Sequence, residues 1–251
     1  MATTDDSTDG SDAAADPLDH PGEAHQHGDL GERSNKIRAA VLGANDGIVS
    51  VAGLVVGVAG ATTSTAAIAT AGVAGLVAGA LSMGAGEYVS VSSQRDTERA
   101  AVAKETQELA EDPEGEFQEL VGLFEKRGLT RGTAEKVAEE LTAQDALAAH
   151  SREELKIEPG EYVNPWAAAL SSLLSFTVGA ALPLIAILAT PASVRIYLTF
   201  AAVVIALFVT GWVSARLVGA PVRAAVLRNV LGGALAMLIT YGIGALLGTS
   251  I

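Results

Sequence analysis

One carboxylate, Asp46, stands at the start of an apolar stretch in which residues 48–61 carry no charge. An aspartate inside a segment long enough to cross a bilayer costs roughly 2.5–3.5 kcal/mol at the membrane centre. A residue kept there in spite of that cost is by default part of an ion or proton path, so we expect Asp46 to be a buried functional carboxylate. The alternative is a helix that begins at Asp46 and leaves its side chain among the headgroups, but the apolar pattern already starts near Ile37.

Helix geometry predicts companions for Asp46 at a similar depth. Asp46 follows the start of the first apolar segment by about ten residues, or about 15 Å. The second segment runs the opposite way, which places Met83 at a matching depth and Glu87 one turn nearer the charged side on the same face. With the Asn45 amide, this mixed set suits a borderline ion such as Fe²⁺ better than Mg²⁺ or Ca²⁺. Ordinary packing of Met83 and an interfacial role for Glu87 are the alternatives.

A second set of carboxylates lies in a charged segment farther along the chain. Glu105 with Glu108, and Glu116 with Glu119, form two Glu-x-x-Glu pairs, and each pair puts two carboxylates on one helix face. A break near Pro113 allows the two faces to fold together, as in bundles that hold di-iron or di-manganese. The pattern is also frequent on solvated helices. Further candidate ligands are Glu98, His150 and Glu154.

Composition restricts the classes of function. The chain has 251 residues and a net charge of −13, and residues 1–32 and 93–163 hold all of its acids except Asp46 and Glu87. An acidic balance of this kind argues against nucleic acid as a partner, because phosphates demand a basic surface. The chain has no Cys, so disulfides and thiolate metal sites are excluded.

Five apolar segments predict an all-α membrane protein, since each is near the roughly 20 residues that a spanning helix needs. The segments are 36–60, 66–91, 166–189, 193–218 and 224–247. Pro183 interrupts the third, which spanning helices tolerate. Three pairs of glycines four residues apart predict tight crossings of the first two helices, with each other or across a dimer axis. These pairs are Gly43 and Gly47, Gly53 and Gly57, and Gly75 and Gly79.

Basic residues predict the orientation of these helices. They precede the first segment and flank the loop between the fourth and fifth: Arg33, Lys36, Arg38, Arg216, Arg223 and Arg228. The positive-inside rule therefore puts the N-terminus and the insert in the cytoplasm and the C-terminus outside. Arg195 is the one exception to the pattern.

The predicted organisation has four parts: an acidic disordered tail (1–32), membrane helices one and two (33–92), a cytoplasmic three-helix metal-binding insert (93–163) and membrane helices three to five (164–251). Breaks at Pro113 and at 128–132 separate the insert helices, and five apolar residues offer them a small core: Leu120, Leu123, Phe124, Val137 and Leu141. The tail carries three histidines, His20, His25 and His27. They suit weak divalent-metal binding or a merely solvated tail.

Three motifs carry a family resemblance. The stretches AAVLGANDGIVS (39–50), GLVAGALSMGAGEYVSV (75–91) and LSFTVGAALPL (174–184) resemble the vacuolar iron transporter family. The resemblance covers about residues 33–250. It implies a homodimeric antiporter, not an enzyme, that exchanges Fe²⁺, often Mn²⁺ too, for protons and moves metal out of the cytosol.

The resemblance also implies site residues. The path through the membrane falls on Asp46 and Met83. The family's cytoplasmic glutamates fall on Glu105, Glu108, Glu116, Glu119 and Glu154. Plant relatives carry two methionines just before the last of these, where this chain has His150 and Ser151. His150 is a borderline ligand that can substitute, but the soft methionine part of the site is missing, so a strict preference for iron is not expected and Mn²⁺, Zn²⁺ or Co²⁺ are further candidates.

Two rival functions stay open at the level of sequence. One is a membrane-anchored iron-binding or storage protein, and the other is a di-iron oxidase. The oxidase is disfavoured because His150 lacks the acid of a Glu-x-x-His pair, and Leu147 occupies that offset. The expected partners are lipid, divalent metal ions, protons and a second copy of the chain. The expected location is the plasma membrane of a bacterium or archaeon.

Overall fold

The structure is a computed structural model that describes residues 27–160, 162–217 and 219–248. Within these ranges the chain forms seven α-helices and one short π-helical turn. The α-helices are α1 (His27–Ala61), α2 (Thr65–Glu111), α3 (Pro113–Lys126), α4 (Arg131–His150), α5 (Pro165–Ala189), α6 (Arg195–Leu217) and α7 (Val222–Gly248). The π-helical turn (Ser151–Leu155) follows α4 directly.

Five of these helices are long and apolar enough to cross a membrane: the Ala39–Ala61 part of α1, and α2, α5, α6 and α7. Their limits differ from the five predicted segments by a few residues at most, apart from the far end of α2. α5 continues through Pro183, as a spanning helix permits. The all-helical fold class is therefore confirmed for the described residues.

Helix α1 is the centre of the bundle, because it packs against α2, α5, α6 and α7. Glycines let the backbones approach: a Cβ at Gly47 would meet the carbonyl oxygen of Phe176, and one at Gly179 that of Ala44, both across the α1–α5 contact. Gly53 and Gly57 face Thr240 of α7 instead. The predicted close packing is present, but within the chain the glycines of α1 lie at its contacts with α5 and α7 rather than with α2.

The α2 helix differs most from the expectation. It does not stop near Val91 but runs on to Glu111, so the first predicted helix of the insert is an extension of the second membrane helix. No Gly or Pro interrupts residues 87–111, and contacts four residues apart stabilise the extension, including one from Lys104 Nζ to Glu108 Oε1 of 2.6 Å. The helix ends at Asp112, whose Oδ1 accepts from the Gly115 amide and caps α3.

The insert has a small core of its own between α3 and α4. Leu120, Val121 and Phe124 are buried against Ala134 and Ala138. The other predicted core residues, Leu123, Val137 and Leu141, pack against this cluster while partly exposed. Two helices and the end of α2 thus position the acidic side chains of the insert.

The predicted tail is only partly within the described residues. Residues 27–32 belong to α1 rather than to an irregular tail, because that helix already begins at His27. His20 and His25 lie outside the described residues.

Two glycines of α7 allow a direct test of the packing. A Cβ at Gly244 would meet the backbone carbonyl of Gly57, whereas a Cβ at Gly242 would meet nothing within 4 Å. Backbone cannot move aside as a side-chain end can, so we expect Gly244→Ala to destabilise the protein by about 1–3 kcal/mol. Thermal unfolding in detergent measures this, with Gly242→Ala as the matched control. Equal melting temperatures for the two variants would contradict the packing.

Candidate metal centre and membrane cleft

Four side chains of the insert converge on one point. Glu105 from α2, Glu116 from α3, His150 at the end of α4 and Glu154 from the π-helical turn each offer a ligand atom within 4.8 Å of the others. The Nδ1 atom of His150 lies 2.9 Å from Glu105 Oε1, 3.6 Å from Glu116 Oε2 and 3.8 Å from Glu154 Oε2. One imidazole and three carboxylates from four elements form a compact candidate site.

The inner half of this cluster is withdrawn from water. His150 is 1% exposed and Glu105 2%, and Glu154 closes the site from an exposed position. Despite their short separation, His150 Nδ1 and Glu105 Oε1 have no hydrogen-bond partner among the described residues, and neither does His150 Nε2. Buried polar atoms are rarely left unpaired. Buried nitrogen and oxygen atoms that converge without a hydrogen-bond partner are the arrangement that a cation would satisfy, and imidazole with carboxylates suits borderline divalent ions.

Electrostatics point in the same direction. Burial raises the pKa of Glu105 to about 7, and repulsion from Glu154, Glu116, Glu108 and Glu119 adds to the rise. The pKa of Glu116 is also raised, mainly by burial and then by Glu119, although His150 opposes the shift. Carboxylates this close together repel one another when they are ionised, and a bound cation would relieve that repulsion.

Three of the predicted insert ligands lie outside the cluster. Glu108 binds Lys104, and Glu119 is exposed, so both contribute negative charge at the rim. Glu98 is two turns nearer the membrane on α2, where its Oε1 accepts from Gln94 Nε2 at 2.9 Å. The structure therefore brings together Glu105, Glu116, Glu154 and His150 and leaves these three apart.

Sequence reasoning missed a break inside α4. Asp145 has extended backbone angles (φ −163°, ψ 101°), and its Oδ1 accepts from the Ala148 amide at 2.9 Å, which caps a new short segment. That segment continues into the π-helical turn and ends at Lys156, in the left-handed region with φ 59°. The two ligands His150 and Glu154 thus share one short, separately capped unit. The signal was an aspartate in a helix interior, where Asp is disfavoured.

The membrane part contains a second candidate site, a cleft between α1 and α2. Asp46, Met83 and Glu87 line it together with Gly79, Ser82 and Gly86, around a volume of about 340 Å³. The depth argument from sequence placed the first three residues together, and the structure does so too. One expectation was wrong, because Asp46 is exposed rather than buried among the residues that the structure describes.

Asn45 does not line this cleft. Successive residues of a helix point about 100° apart, so Asn45 and Asp46 cannot share a direction. The Oδ1 atom of Asn45 is buried and has no hydrogen-bond partner among the described residues. Asn45 was predicted to lie on the transport path with Asp46, but it is not among the residues that line the cleft.

The unbroken α2 helix connects the two sites. Glu87 and Glu105 are 18 residues apart, which is five turns, so they lie on the same face about 27 Å from each other. The insert cluster and the membrane cleft consequently lie along one face of one rigid element.

Known proteins resemble the chain over most of its length. Residues 37–245 match the model of the VIT family. A vacuolar iron transporter of Acanthamoeba castellanii is 43% identical over 213 residues, 84% of this chain and 78% of that protein. Vacuolar iron transporter homolog 3 of Arabidopsis thaliana is 36% identical over 222 residues, 88% of each chain. The five apolar helices and these matches identify an integral membrane protein.

The raised pKa of Glu105 predicts a pH dependence of stability without metal. The folded protein holds more protons than the unfolded chain between the ordinary pKa of 4.5 and the folded value of about 7. The stability linked to this proton is present at low pH and is lost as the pH rises through that window. We expect Glu105→Gln to reduce this decline, measured as melting temperature at pH 5–8 in chelator. Glu140→Gln, an exposed acid of α4, is the control. A Glu105→Gln curve parallel to that of the wild type would contradict the assignment.

Proposed function

Since the chain belongs to the VIT family, we propose that it moves divalent iron or manganese out of the cytosol across a membrane in exchange for protons. The main support for this proposal is that two candidate metal sites lie along one face of α2. One is the membrane cleft, with carboxylates and a thioether, and the other is the insert cluster, with carboxylates and an imidazole. Relatives named vacuolar iron transporters support iron as the cargo. The cargo is a substrate, and no chemical conversion is required.

The proposed mechanism has two stages. The insert cluster collects a divalent ion, and the acids at its rim increase the local concentration of cations around it. The ion then reaches the cleft, where the Asp46 carboxylate and the Met83 thioether replace part of its water shell. A proton and a metal ion compete for the same carboxylate, because metal ligands must be deprotonated. Return of protons through Asp46 would then couple the two flows.

Exposure of Asp46 supports a homodimer. A carboxylate facing lipid at membrane depth is costly, so this side of α1 needs a cover beyond the residues that the structure describes. A second copy placed against α1 and α2 would enclose the cleft and contribute its own Asp46 and Met83. The path would then run between the two protomers.

The proposed orientation follows from topology and charge. α2 enters the insert at its C-terminal end, so α1, α5 and α7 begin on the insert side and α6 ends there. Arg216 and Arg223 are at that side, which the positive-inside rule assigns to the cytoplasm. We therefore place the insert in the cytoplasm and the C-terminal end of α7 outside. A bacterial or archaeal plasma membrane is the proposed location.

Storage is the rival that the structure favours most, because the insert cluster is complete without the membrane cleft. An oxidase is less compatible, since the cluster has a single imidazole rather than paired Glu-x-x-His motifs. Transport requires Asp46 for metal flux across the membrane, whereas storage in the insert does not require Asp46.

Removal of the Asp46 carboxylate distinguishes them. In proteoliposomes with an imposed pH gradient, we expect Asp46→Ala to reduce Fe²⁺ flux at least tenfold, because the cleft loses its anionic ligand. Metal binding to the purified protein should stay near the wild-type level, since Glu105 of the insert cluster is about 27 Å along α2 from Glu87, the acid of the cleft on that helix. Asp96→Ala, which removes an exposed acid of α2 outside the cleft, is the control. Wild-type flux in Asp46→Ala would contradict the proposed path.

A change at His150 tests the metal preference. Imidazole favours Fe²⁺, Co²⁺ and Zn²⁺ over Mn²⁺, which prefers carboxylates and water. We expect His150→Ala to weaken binding of the first three by tenfold or more and binding of Mn²⁺ by less. Competition among the four ions on the purified protein measures this. An equal loss for all four would mean that His150 shapes the site without acting as a ligand.

A further inference from the structure

Arg195 is a charged side chain buried at the end of the bundle opposite the insert. It is the first residue of α6 and is 7% exposed. Its Nη2 atom donates to Thr65 Oγ1 at 3.3 Å, while Nε and Nη1 are buried without a hydrogen-bond partner among the described residues. A buried guanidinium with unused donors requires compensation by negative charge.

No acidic side chain of the membrane part can supply that charge. Outside residues 1–32 and 93–163 the only acids are Asp46 and Glu87. Glu87 is 22 residues from Thr65 along α2, or about 33 Å. Asp46 is 15 residues from the end of α1 at Ala61, or about 22 Å. Both lie toward the insert, so the counter-charge must come from elsewhere.

The surroundings of Arg195 add positive potential. α2 begins at Thr65 and α6 begins at Arg195, so two helix N-termini meet at the guanidinium. Ser64 caps α2 by accepting from the Ala67 amide. The amides of Thr65 and Ala66, at the exposed first turn, have no intrahelical acceptor. Free amides at a helix N-terminus beside an arginine form a common anion site.

We propose that Arg195, Thr65 and the first turns of α2 and α6 bind a phosphate group on the face opposite the insert. The guanidinium attracts phosphate oxygens by its charge, and its Nη2 atom, which lies beside the Thr65 hydroxyl, is the donor nearest to an incoming anion. Thr65 is exposed, so an anion that reaches its hydroxyl is next to the guanidinium. The group is either the phosphate of a membrane lipid or free inorganic phosphate. Tyr197, 76% exposed and two residues into α6, suits the headgroup level at which lipid phosphates lie.

Thermal unfolding of the purified protein in detergent tests the site in two arms. One arm titrates inorganic phosphate at constant ionic strength. The other adds phosphatidylglycerol to the micelles and compares it with an uncharged, phosphate-free diacylglycerol. We expect the wild-type melting temperature to rise in one arm, which identifies the source of the phosphate group. Arg195→Gln should need at least tenfold more ligand for the same rise, with Arg195→Lys in between.

Arg216→Gln is the matched control, because it removes an exposed arginine from the other end of α6 and should respond like the wild type. Thr65→Val gives a second test at an exposed position if Arg195→Gln does not fold, and it should weaken the response. No rise in either arm, or an equal rise in wild type, Arg195→Gln and Thr65→Val, would overturn the proposal. Neither readout depends on metal transport.

Discussion

A single unbroken α-helix from Thr65 to Glu111 joins the membrane part of the protein to the insert. Its period places Met83, Glu87 and Glu105 along one face, because the intervals of four and 18 residues are close to whole turns. A flexible link at the membrane boundary would separate the insert from the cleft. One continuous helix instead holds the acidic cluster of the insert and the membrane cleft in a constant relation.

Negative charge on the insert is concentrated around one buried side chain. Glu105 is buried among acids, and burial with repulsion raises its pKa to about 7. That arrangement is unfavourable for an empty site at neutral pH and favourable for one that holds a cation. The break at Asp145 and the π-helical turn bring His150 and Glu154 to the same point from a separately capped segment. Local irregularity of this kind is frequent at functional sites.

In the membrane part, small residues at the helix contacts determine how closely the helices pack. Gly47 and Gly179 let α1 and α5 approach at backbone distance, and Gly244 does the same for α7 against α1. This packing covers most of α1 but leaves Asp46 on an open side. At the opposite end, Arg195 is buried with donors to spare. Asp46 at membrane depth and Arg195 at the end opposite the insert are thus two charges for which the described residues supply no ion-pair partner.

Periodicity, charge and motifs in the sequence determined the five apolar helices and, except at the far end of α2, their limits to within a few residues. They also determined the family and the shared depth of Asp46, Met83 and Glu87. These properties are local or follow from helix geometry, so they can be read without knowing which helices touch. Tertiary structure decided the rest. It selected Glu105, Glu116, Glu154 and His150 from a larger set of acids, because convergence depends on the break at Asp145 and the packing of α3 on α4. It also left Asp46 open, since the exposure of a side chain depends on which neighbours cover it.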